Sequence, residues 1–396
     1  MSGPTAAGPN AASGEAVPFA RFVRYFLGLG TWGFGGPIAT VGYMQRDLVE
    51  QRRWLERQDF LNGVALGQTM PGPLAAQVVM WVGYLQRGAL GALATSLTFI
   101  VPSFVLVLTV AFLYVQYQGL AVVQAVFYGV APAVMAIIAF AAVKLARLTN
   151  DRDVRLWVIS VVILTVTALT GAEIALLFIA AGLVMVVWDA PPKFVKRLSG
   201  RSNLMLLGAA PPHFGVAMGT ATAATLLTLG LFFLKAGAFI FGSGLAIVPF
   251  LREGVVVQHN WLTERQFLDA VAMGLITPGP VVITAAFIGY LVGGLAGACV
   301  ATVAIFTPIY LGVVIPGGWF IRHQHNPQVR AFVKGATAAA AGAIAGATIV
   351  LTRGAVVDLR TLGILLVSLV FVWRFKNKEP ILVVAAALVG ILLKGV

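Results

Sequence analysis

The chain has 396 residues, of which 59% are apolar and 10% are charged, and its mean hydropathy is +0.93. An average soluble domain is about 45–50% apolar and about 25% charged, so this composition excludes a soluble enzyme, a disordered chain and a secreted disulfide scaffold. The 27 lysines and arginines against 14 acidic residues give a formal net charge of +13. We interpret that excess as the basic cytoplasmic loops of a polytopic membrane protein, not as a nucleic-acid surface.

The residue types that build metal centres and catalytic sites are scarce. Cys299 is the single cysteine, and the four histidines are dispersed along the chain. A disulfide framework, a thiolate metal site and a catalytic Ser/His/Asp arrangement are therefore not expected. The sequence also lacks a G-x-x-x-x-G-K-[ST] phosphate loop, which argues against a nucleotide-driven pump. We predict a protein that is not an enzyme and that has no catalytic residue, metal or cofactor.

In chain order, residues 1–18 are small, polar and punctuated by proline, which predicts a disordered tail. A first span is predicted near residues 21–45. Residues 68–73 read Gln-Thr-Met-Pro-Gly-Pro, and because proline cannot continue a helix, they predict a re-entrant hairpin of two half-helices. Further spans are predicted at about 89–115, 120–143, 156–170 and 172–188. Residues 191–213 predict a basic cytoplasmic linker between a first repeat (19–190) and a second (214–396).

The two predicted repeats align residue by residue. Residues 34–73 realign on residues 241–280 at a constant offset of 207, which pairs one Pro-Gly-Pro with the other. After one deletion the offset is 206, which pairs Pro102 with Pro308. A shared register of tryptophan, proline and glycine over this length indicates a tandem duplication.

The basic residues of aligned loops predict that the repeats have opposite orientations. Loop 46–59 has four arginines where its partner 253–266 has one, and loop 115–128 has none where 321–334 has three basic residues. Basic loops face the cytoplasm, so the halves are expected to be inverted, with five crossings each. The predicted fold class is an all-α polytopic membrane protein: two inverted-topology repeats with discontinuous, re-entrant helices, about ten spans and two hairpins. Arg21 and Arg24 would then lie on the outer side, so a re-entrant or interfacial first segment stays open.

Inverted repeats with broken helices are typical of secondary transporters, whose sites lie near the midplane at the repeat interface. A half-helix that begins at a Pro-Gly-Pro break presents unpaired N–H groups, which suit an anion. The glycine clusters would let backbone approach a ligand closely, although glycine and proline also serve packing in membrane helices. The predicted substrate-binding residues are Gly35, Gly36, Pro37, Gln68, Thr69, Pro71, Gly72, Pro73, Gln77, Gly242, Ser243, Gly244, Thr277, Pro278, Gly279, Pro280 and Thr284.

Few charged residues lie within the apolar runs. Lys235 stands alone in GLFFLKAGAFIFGSG, where it could either counter an anionic substrate or reach the membrane surface. Arg46 and Arg252 end the two glycine-rich spans and are predicted to form entrance or gating positions, with membrane-surface anchors as the other interpretation. The aligned Asn62 and Asp269 are expected to cap the hairpin helices.

These motifs resemble the chromate transporter family. The stretches GFGGPIATVGYMQRDLVEQRRWL and ALGQTMPGPLAAQ resemble its first-half signature, and FGSGLAIVPFLREGVVVQHNWLTERQFLDAVAMGLITPGPVVITAAFIGYLVGG resembles that of the second half. The resemblance covers about residues 20–350 and is to the long two-domain bacterial chromate-efflux permeases. It implies export of chromate from the cytoplasm across the bacterial inner membrane. Because chromate is isosteric with sulfate, the resemblance also implies sulfate as a second substrate or competitor.

The residues alone predict only a secondary oxyanion transporter, driven by membrane potential, by proton exchange or by both. An anion channel, a transporter of sulfate or another oxyanion, and a non-transporting membrane scaffold are the alternatives. The expected partners are the oxyanion and the lipid bilayer, without nucleic acid, and a homodimer is left open.

Overall fold

The computed structural model describes residues 17–33, 36–117, 121–170, 175–191, 223–240, 247–317, 326–375 and 379–395. These residues form helices joined by short turns, without a strand, which confirms the predicted all-α class. Most of the predicted tail and nearly all of the predicted linker lie outside the described residues. The α-helices are α1 (Phe19–Trp32), α2 (Gly36–Met44), α3 (Arg57–Thr69), α4 (Leu74–Tyr117), α5 (Ala121–Asn150), α6 (Val154–Thr170), α7 (Ala175–Asp189), α8 (Ala223–Ala238), α9 (Ile247–Arg252), α10 (Glu264–Ile276), α11 (Thr284–Val314), α12 (Pro327–Ala355), α13 (Leu359–Arg374) and α14 (Glu379–Lys394).

Four helical segments of the described chain are long and apolar enough to cross a membrane: Leu74–Tyr117, Ala121–Asn150, Val281–Val314 and Pro327–Ala355. Shorter apolar helices lie at Val154–Thr170, Leu177–Asp189 and Ala223–Ala238. Long apolar helices of this kind are typical of a membrane protein. Ten spans and an inverted arrangement stay predictions.

The segment predicted as one span near residues 21–45 is instead two helices that double back. α1 has 14 residues, about 21 Å of helix, which is shorter than a membrane crossing. The Tyr25 hydroxyl donates to Asp47 Oδ2 at 3.2 Å, and the Phe22 and Trp54 ring centroids are 5.1 Å apart. The start of α1 therefore lies beside the turn that follows α2. The structure favours the re-entrant interpretation of Arg21 and Arg24.

The long helix α4 is also two segments, because its backbone reverses at Arg87 and Gly88. Gly88 has φ of +58° and ψ of −147°, a region that glycine adopts without strain. Beyond the turn, Thr95 Oγ1 donates to Val79 O at 3.1 Å, so the segments on either side of it run antiparallel. The Pro-Gly-Pro stretch likewise separates α3 from α4, as the proline pattern predicts.

The same local features recur at offsets of 206 or 207 residues. Gly294 has φ of +60° and ψ of −149°, matching Gly88. π-helical turns follow α2 at Gln45–Gln51 and α9 at Glu253–Gln258, and each leads to a left-handed residue with φ of 51°, Arg53 and Asn260 respectively. The aligned segments of the two halves therefore adopt the same local backbone conformation.

The two halves interlock through their C-terminal helices. α6 and α7 pack on α12 of the second half, while α13 and α14 pack on α5 of the first half. Glycine allows the close approach on both sides: a Cβ on Gly129 would overlap the backbone of Ala386, and one on Gly335 would overlap the backbone of Ala181. Small residues at such crossings let membrane helices contact backbone to backbone. Each half therefore covers the long helix of the other.

Candidate functional site

The first Pro-Gly-Pro loop lies between α3 and α4 and contacts the second half. Gly72 is buried with φ of +146°, and its N–H donates to Ile240 O at 2.6 Å, just after α8. A Cβ on Gly72 would lie 3.0 Å from Ile309 Cγ2 on α11. The predicted site residue Gln77 is fully buried, and its Nε2 donates to Pro71 O at 2.9 Å. Gln77 Oε1 is buried without a hydrogen-bond partner among the described residues.

The second Pro-Gly-Pro loop contacts the first half in the corresponding way. Ser103 Oγ on α4 donates to Pro278 O at 2.6 Å, and it also lies 3.4 Å from Gly30 O on α1. Gly279 has φ of +100°, and a Cβ there would overlap Ser103 Oγ. The second Pro-Gly-Pro loop therefore packs against the Ser103 hydroxyl of the first half.

Each loop thus rests on the residue that follows an aligned proline in the other half. Pro102 precedes Ser103, and Pro308 precedes Ile309. Sequence reasoning aligned the two prolines but did not select Ser103. The alignment could have indicated Ser103, because a serine that aligns with an isoleucine inside an apolar helix suggests a polar contact in one half only. The two loops therefore occupy corresponding positions, but the second loop contacts a serine where the first loop contacts an isoleucine.

The remaining predicted substrate residues have varied positions. Gln68 is exposed at the end of α3. Thr277 Oγ1 and Thr284 Oγ1 donate to backbone oxygens of Met273 and Val281 at 2.6 and 2.8 Å, so each hydroxyl is used within its own local segment. Of the predicted binding residues in the glycine motifs, the structure describes only the backbone of Gly36 and Pro37, in the first turn of α2. Gly35, Gly242, Ser243 and Gly244 lie outside the described residues, as does the side chain of Thr69.

The predicted charged positions have different surroundings. Lys235 is exposed in the last turn of α8, with its Nζ 5.9 Å from the centroid of the Phe250 ring. Arg252 is mostly buried, and its Nε donates to Glu264 Oε1 at 2.7 Å. Arg46 is exposed and contacts Asp47 Oδ1 at 2.9 Å. Arg46 and Asp47 line an open cavity of about 790 Å³, which also includes Arg21, Arg24 and Arg52. Among the described residues, the structure thus places Arg46 in a cavity with other arginines, whereas Arg252 is paired with Glu264.

The prediction that Asp269 caps a helix is wrong. The N-cap of α10 is Thr263, whose Oγ1 accepts from the Gln266 N–H at 3.2 Å. Asp269 lies a turn further along and is 2% exposed, and its Oδ2 accepts from the Tyr114 hydroxyl of α4 at 2.7 Å. Its aligned partner Asn62 also lies within a helix. A capping pattern is local, so it could not predict that Asp269 is buried and hydrogen-bonded to Tyr114 of the first half.

A profile of the chromate transporter family matches the chain in two stretches, residues 20–187 and 227–391. The chromate transport protein of Cupriavidus metallidurans is 48% identical over 372 residues, covering 94% of this chain and 92% of that protein. This chain belongs to the chromate transporter family.

Two further members of the family are similar along nearly their whole length. The probable chromate transport protein of Synechococcus elongatus is 47% identical, covering 95% of this chain and 96% of that protein. The chromate transport protein of Pseudomonas aeruginosa is 32% identical, covering 96% and 94% respectively. No solved structure matches the chain.

Membership of the chromate transporter family bears on several predictions. The similar proteins are named as transport proteins and not as enzymes, which agrees with the absence of a predicted catalytic residue. Together with the long apolar helices, family membership identifies a multi-pass membrane protein. The family also implies an oxyanion as the substrate class.

Proposed function

We propose that this protein is a secondary transporter that exports chromate from the bacterial cytoplasm across the inner membrane. The observation that carries the proposal is the 48% identity to a chromate transport protein along nearly the whole of both chains. Sulfate is a second substrate or a competitor, because it is a tetrahedral dianion of similar size. An inside-negative potential favours outward movement of an anion by about 2.3 kcal/mol per charge per 100 mV. Uniport or proton exchange can therefore drive export without nucleotide.

We infer that the substrate path runs past the two Pro-Gly-Pro loops. Each loop interrupts a helix and rests on a helix of the other half, through Gly72 against Ile309 and through Pro278 against Ser103. A shift of one half against the other would change both loop contacts at once, as alternating access requires. The other predicted residues of the loops and of the glycine clusters belong to this proposed path, and Lys235 stays a proposed contributor from α8.

We further propose that residues 19–190 and 214–396 are inverted repeats joined by a basic cytoplasmic linker, residues 191–213. The unequal numbers of lysine and arginine in aligned loops support inversion, and the recurring turns at Gly88 and Gly294 support repetition. The two stretches matched by the family profile fall one in each proposed repeat. Membrane-impermeant labelling of cysteines introduced at Arg57 and Glu264, which are aligned at the starts of α3 and α10, tests inversion. Labelling of both from one side contradicts it.

Transport by inside-out membrane vesicles tests the function. Vesicles that contain the protein should accumulate radiolabelled chromate above empty vesicles, with saturation and with competition by excess sulfate. Pro278→Ala, expressed at the wild-type level, should lose most of this uptake. Wild-type vesicles that accumulate no more chromate than empty vesicles would refute the assignment. Flux that fails to saturate and shows high unitary conductance in a planar bilayer would identify an anion channel instead.

Two finer points need their own measurements. Uptake that rises with an imposed pH gradient at zero membrane potential indicates proton exchange, whereas uptake that follows potential alone indicates uniport. A homodimer is tested by crosslinking through Cys299, which is exposed on α11. A crosslinked species that is absent from a Cys299→Ala variant supports a dimer.

A further inference from the structure

An arginine-lined cavity lies on the surface of the first half. It has a volume of about 790 Å³ and lies between α1, the end of α2, the π-helical turn and the loop that follows it. Four guanidinium groups line it, from Arg21, Arg24, Arg46 and Arg52, against the one carboxylate of Asp47. Such an excess of fixed positive charge in a concave wall concentrates anions.

The four arginines are not equivalent, because only Arg46 forms an ion pair with Asp47 among the described residues. Asp47 Oδ1 contacts Arg46 Nε at 2.9 Å, and its Oδ2 accepts from the Tyr25 hydroxyl at 3.2 Å. These contacts balance the charge of Arg46 with that of Asp47. The ion pairs found among the described residues do not include Arg21, Arg24 or Arg52. Three guanidinium groups are therefore available to an anion in the cavity.

Aromatic rings hold the Arg52 side chain in place. Its Cζ lies 5.2 Å from the centroid of the Tyr25 ring and 4.8 Å from the centroid of the Trp54 ring. Cation–π contacts with two rings restrict the position of a guanidinium group, while its N–H groups stay available as donors. A preorganised planar donor of this kind fits two oxygens of a tetrahedral oxyanion. Arg52 is thus held by two rings at the wall of the cavity.

The equivalent region of the second half has a similar backbone but different side chains. At the offset of 207, Arg21, Arg24, Arg46 and Arg52 are replaced by Thr228, Leu231, Glu253 and His259. His259 stacks on Trp261 with ring centroids 4.3 Å apart, and Phe232 packs against both rings. Gly254 replaces Asp47, and a Cβ there would overlap the Phe232 ring. Aromatic packing thus fills the position that the first half keeps open and basic.

We propose that this cavity is a binding site for a tetrahedral oxyanion dianion, such as sulfate or chromate, and that it belongs to the first half alone. The inference rests on the proposed function for the identity of the cargo. A symmetric carrier needs no such site, whereas a single basic vestibule raises the substrate concentration on one face of the protein.

Sulfate binding to the purified full-length protein in detergent tests the site without any transport step. Isothermal titration at low ionic strength should show saturable sulfate binding that Arg52→His, which introduces the residue of the second half, weakens about tenfold or more. Arg52→Gln should weaken binding similarly, which excludes an effect of histidine protonation. The matched control is Arg53→Asn, which removes one positive charge from the neighbouring position outside the cavity and introduces the aligned residue Asn260. It should change affinity less than about twofold.

Equal weakening by Arg52→His and Arg53→Asn would overturn the proposal, because general charge would then explain binding. Unchanged affinity in Arg52→His overturns it as well. The phosphate of a lipid headgroup offers similar chemistry, so binding is also measured in nanodiscs. Sulfate binding in detergent that is lost in nanodiscs of phosphatidylglycerol and of phosphatidylcholine alike would assign the cavity to a lipid headgroup and reject a free dianion. Wild-type vesicles that fail to transport chromate, with sulfate binding intact and sensitive to Arg52, would refute the proposed function and leave this site standing.

Discussion

Replacing Gly279 with alanine tests whether the second Pro-Gly-Pro loop depends on contact with Ser103. The backbone at Gly279 has φ of +100°, where a side chain costs about 1–2 kcal/mol. The new Cβ would also overlap Ser103 Oγ, and overpacking of a buried contact costs about 1–3 kcal/mol. The two effects together lower the free energy of unfolding by about 2–5 kcal/mol.

The double variant Gly279→Ala/Ser103→Ala separates these two effects. Removing Oγ relieves the overlap but leaves the strained backbone, and it also removes the hydrogen bond to Pro278 O, worth about 1 kcal/mol. The second substitution should therefore cost less in the alanine background than in the wild type. A coupling of about 1–3 kcal/mol is expected.

Thermal unfolding in detergent, followed by tryptophan fluorescence, measures the four proteins of this cycle. Gly363→Ala is the matched control, because Gly363 lies within α13 and a Cβ there meets nothing within 4 Å. It should leave the unfolding midpoint unchanged or raise it slightly. Chromate uptake should fall in Gly279→Ala and not in the control. A Gly279→Ala protein as stable and as active as Gly363→Ala would refute the steric reasoning.

Three further predictions concern contacts away from the loops. Tyr114→Phe should lower the unfolding midpoint more than Asp269→Asn. The Phe variant leaves the buried Asp269 carboxyl without its donor, at a cost of about 1–3 kcal/mol, whereas the amide oxygen of the Asn variant can still accept from Tyr114. Burial lowers the pKa of His259, so the unfolded chain binds more protons and stability falls as the pH drops through about 6.5. His259→Gln should reduce the loss of midpoint between pH 7.5 and about 5.5. Gly129→Ala should destabilise by about 1–3 kcal/mol through overlap with the backbone of α14, unlike Gly363→Ala in open space.

Each of these three has a result that would contradict it. Identical midpoints for Tyr114→Phe and the wild type would mean that the hydrogen bond to Asp269 contributes nothing. An unaltered pH dependence in His259→Gln would place the responsible group elsewhere. Equal midpoints for the Gly129 and Gly363 variants would show that the crossing of α5 and α14 is looser than its geometry indicates.

Local sequence was sufficient where the backbone itself sets the geometry. Proline cannot continue a helix, so the sequence pattern predicts the break at residues 71–73, and alignment of the halves predicts its counterpart at residues 278–280. The same reasoning failed for the segment near residues 21–45, because hydropathy does not distinguish one long span from two short helices that return. Contacts between Tyr25 and Asp47 decide that question, and they join residues 22 positions apart.

The sequence by itself determined that this is an all-α membrane protein with two aligned halves and paired helix breaks, since composition, proline and glycine act locally. Only the tertiary structure decided which residues meet across the halves: Ser103 at the second loop, Tyr114 at Asp269, and Arg52 between two aromatic rings. These contacts depend on how helices cross, and that depends on packing between segments far apart in the chain. The aligned positions share a backbone, but the chemistry of each half is set by the side chains that the other elements bring to it.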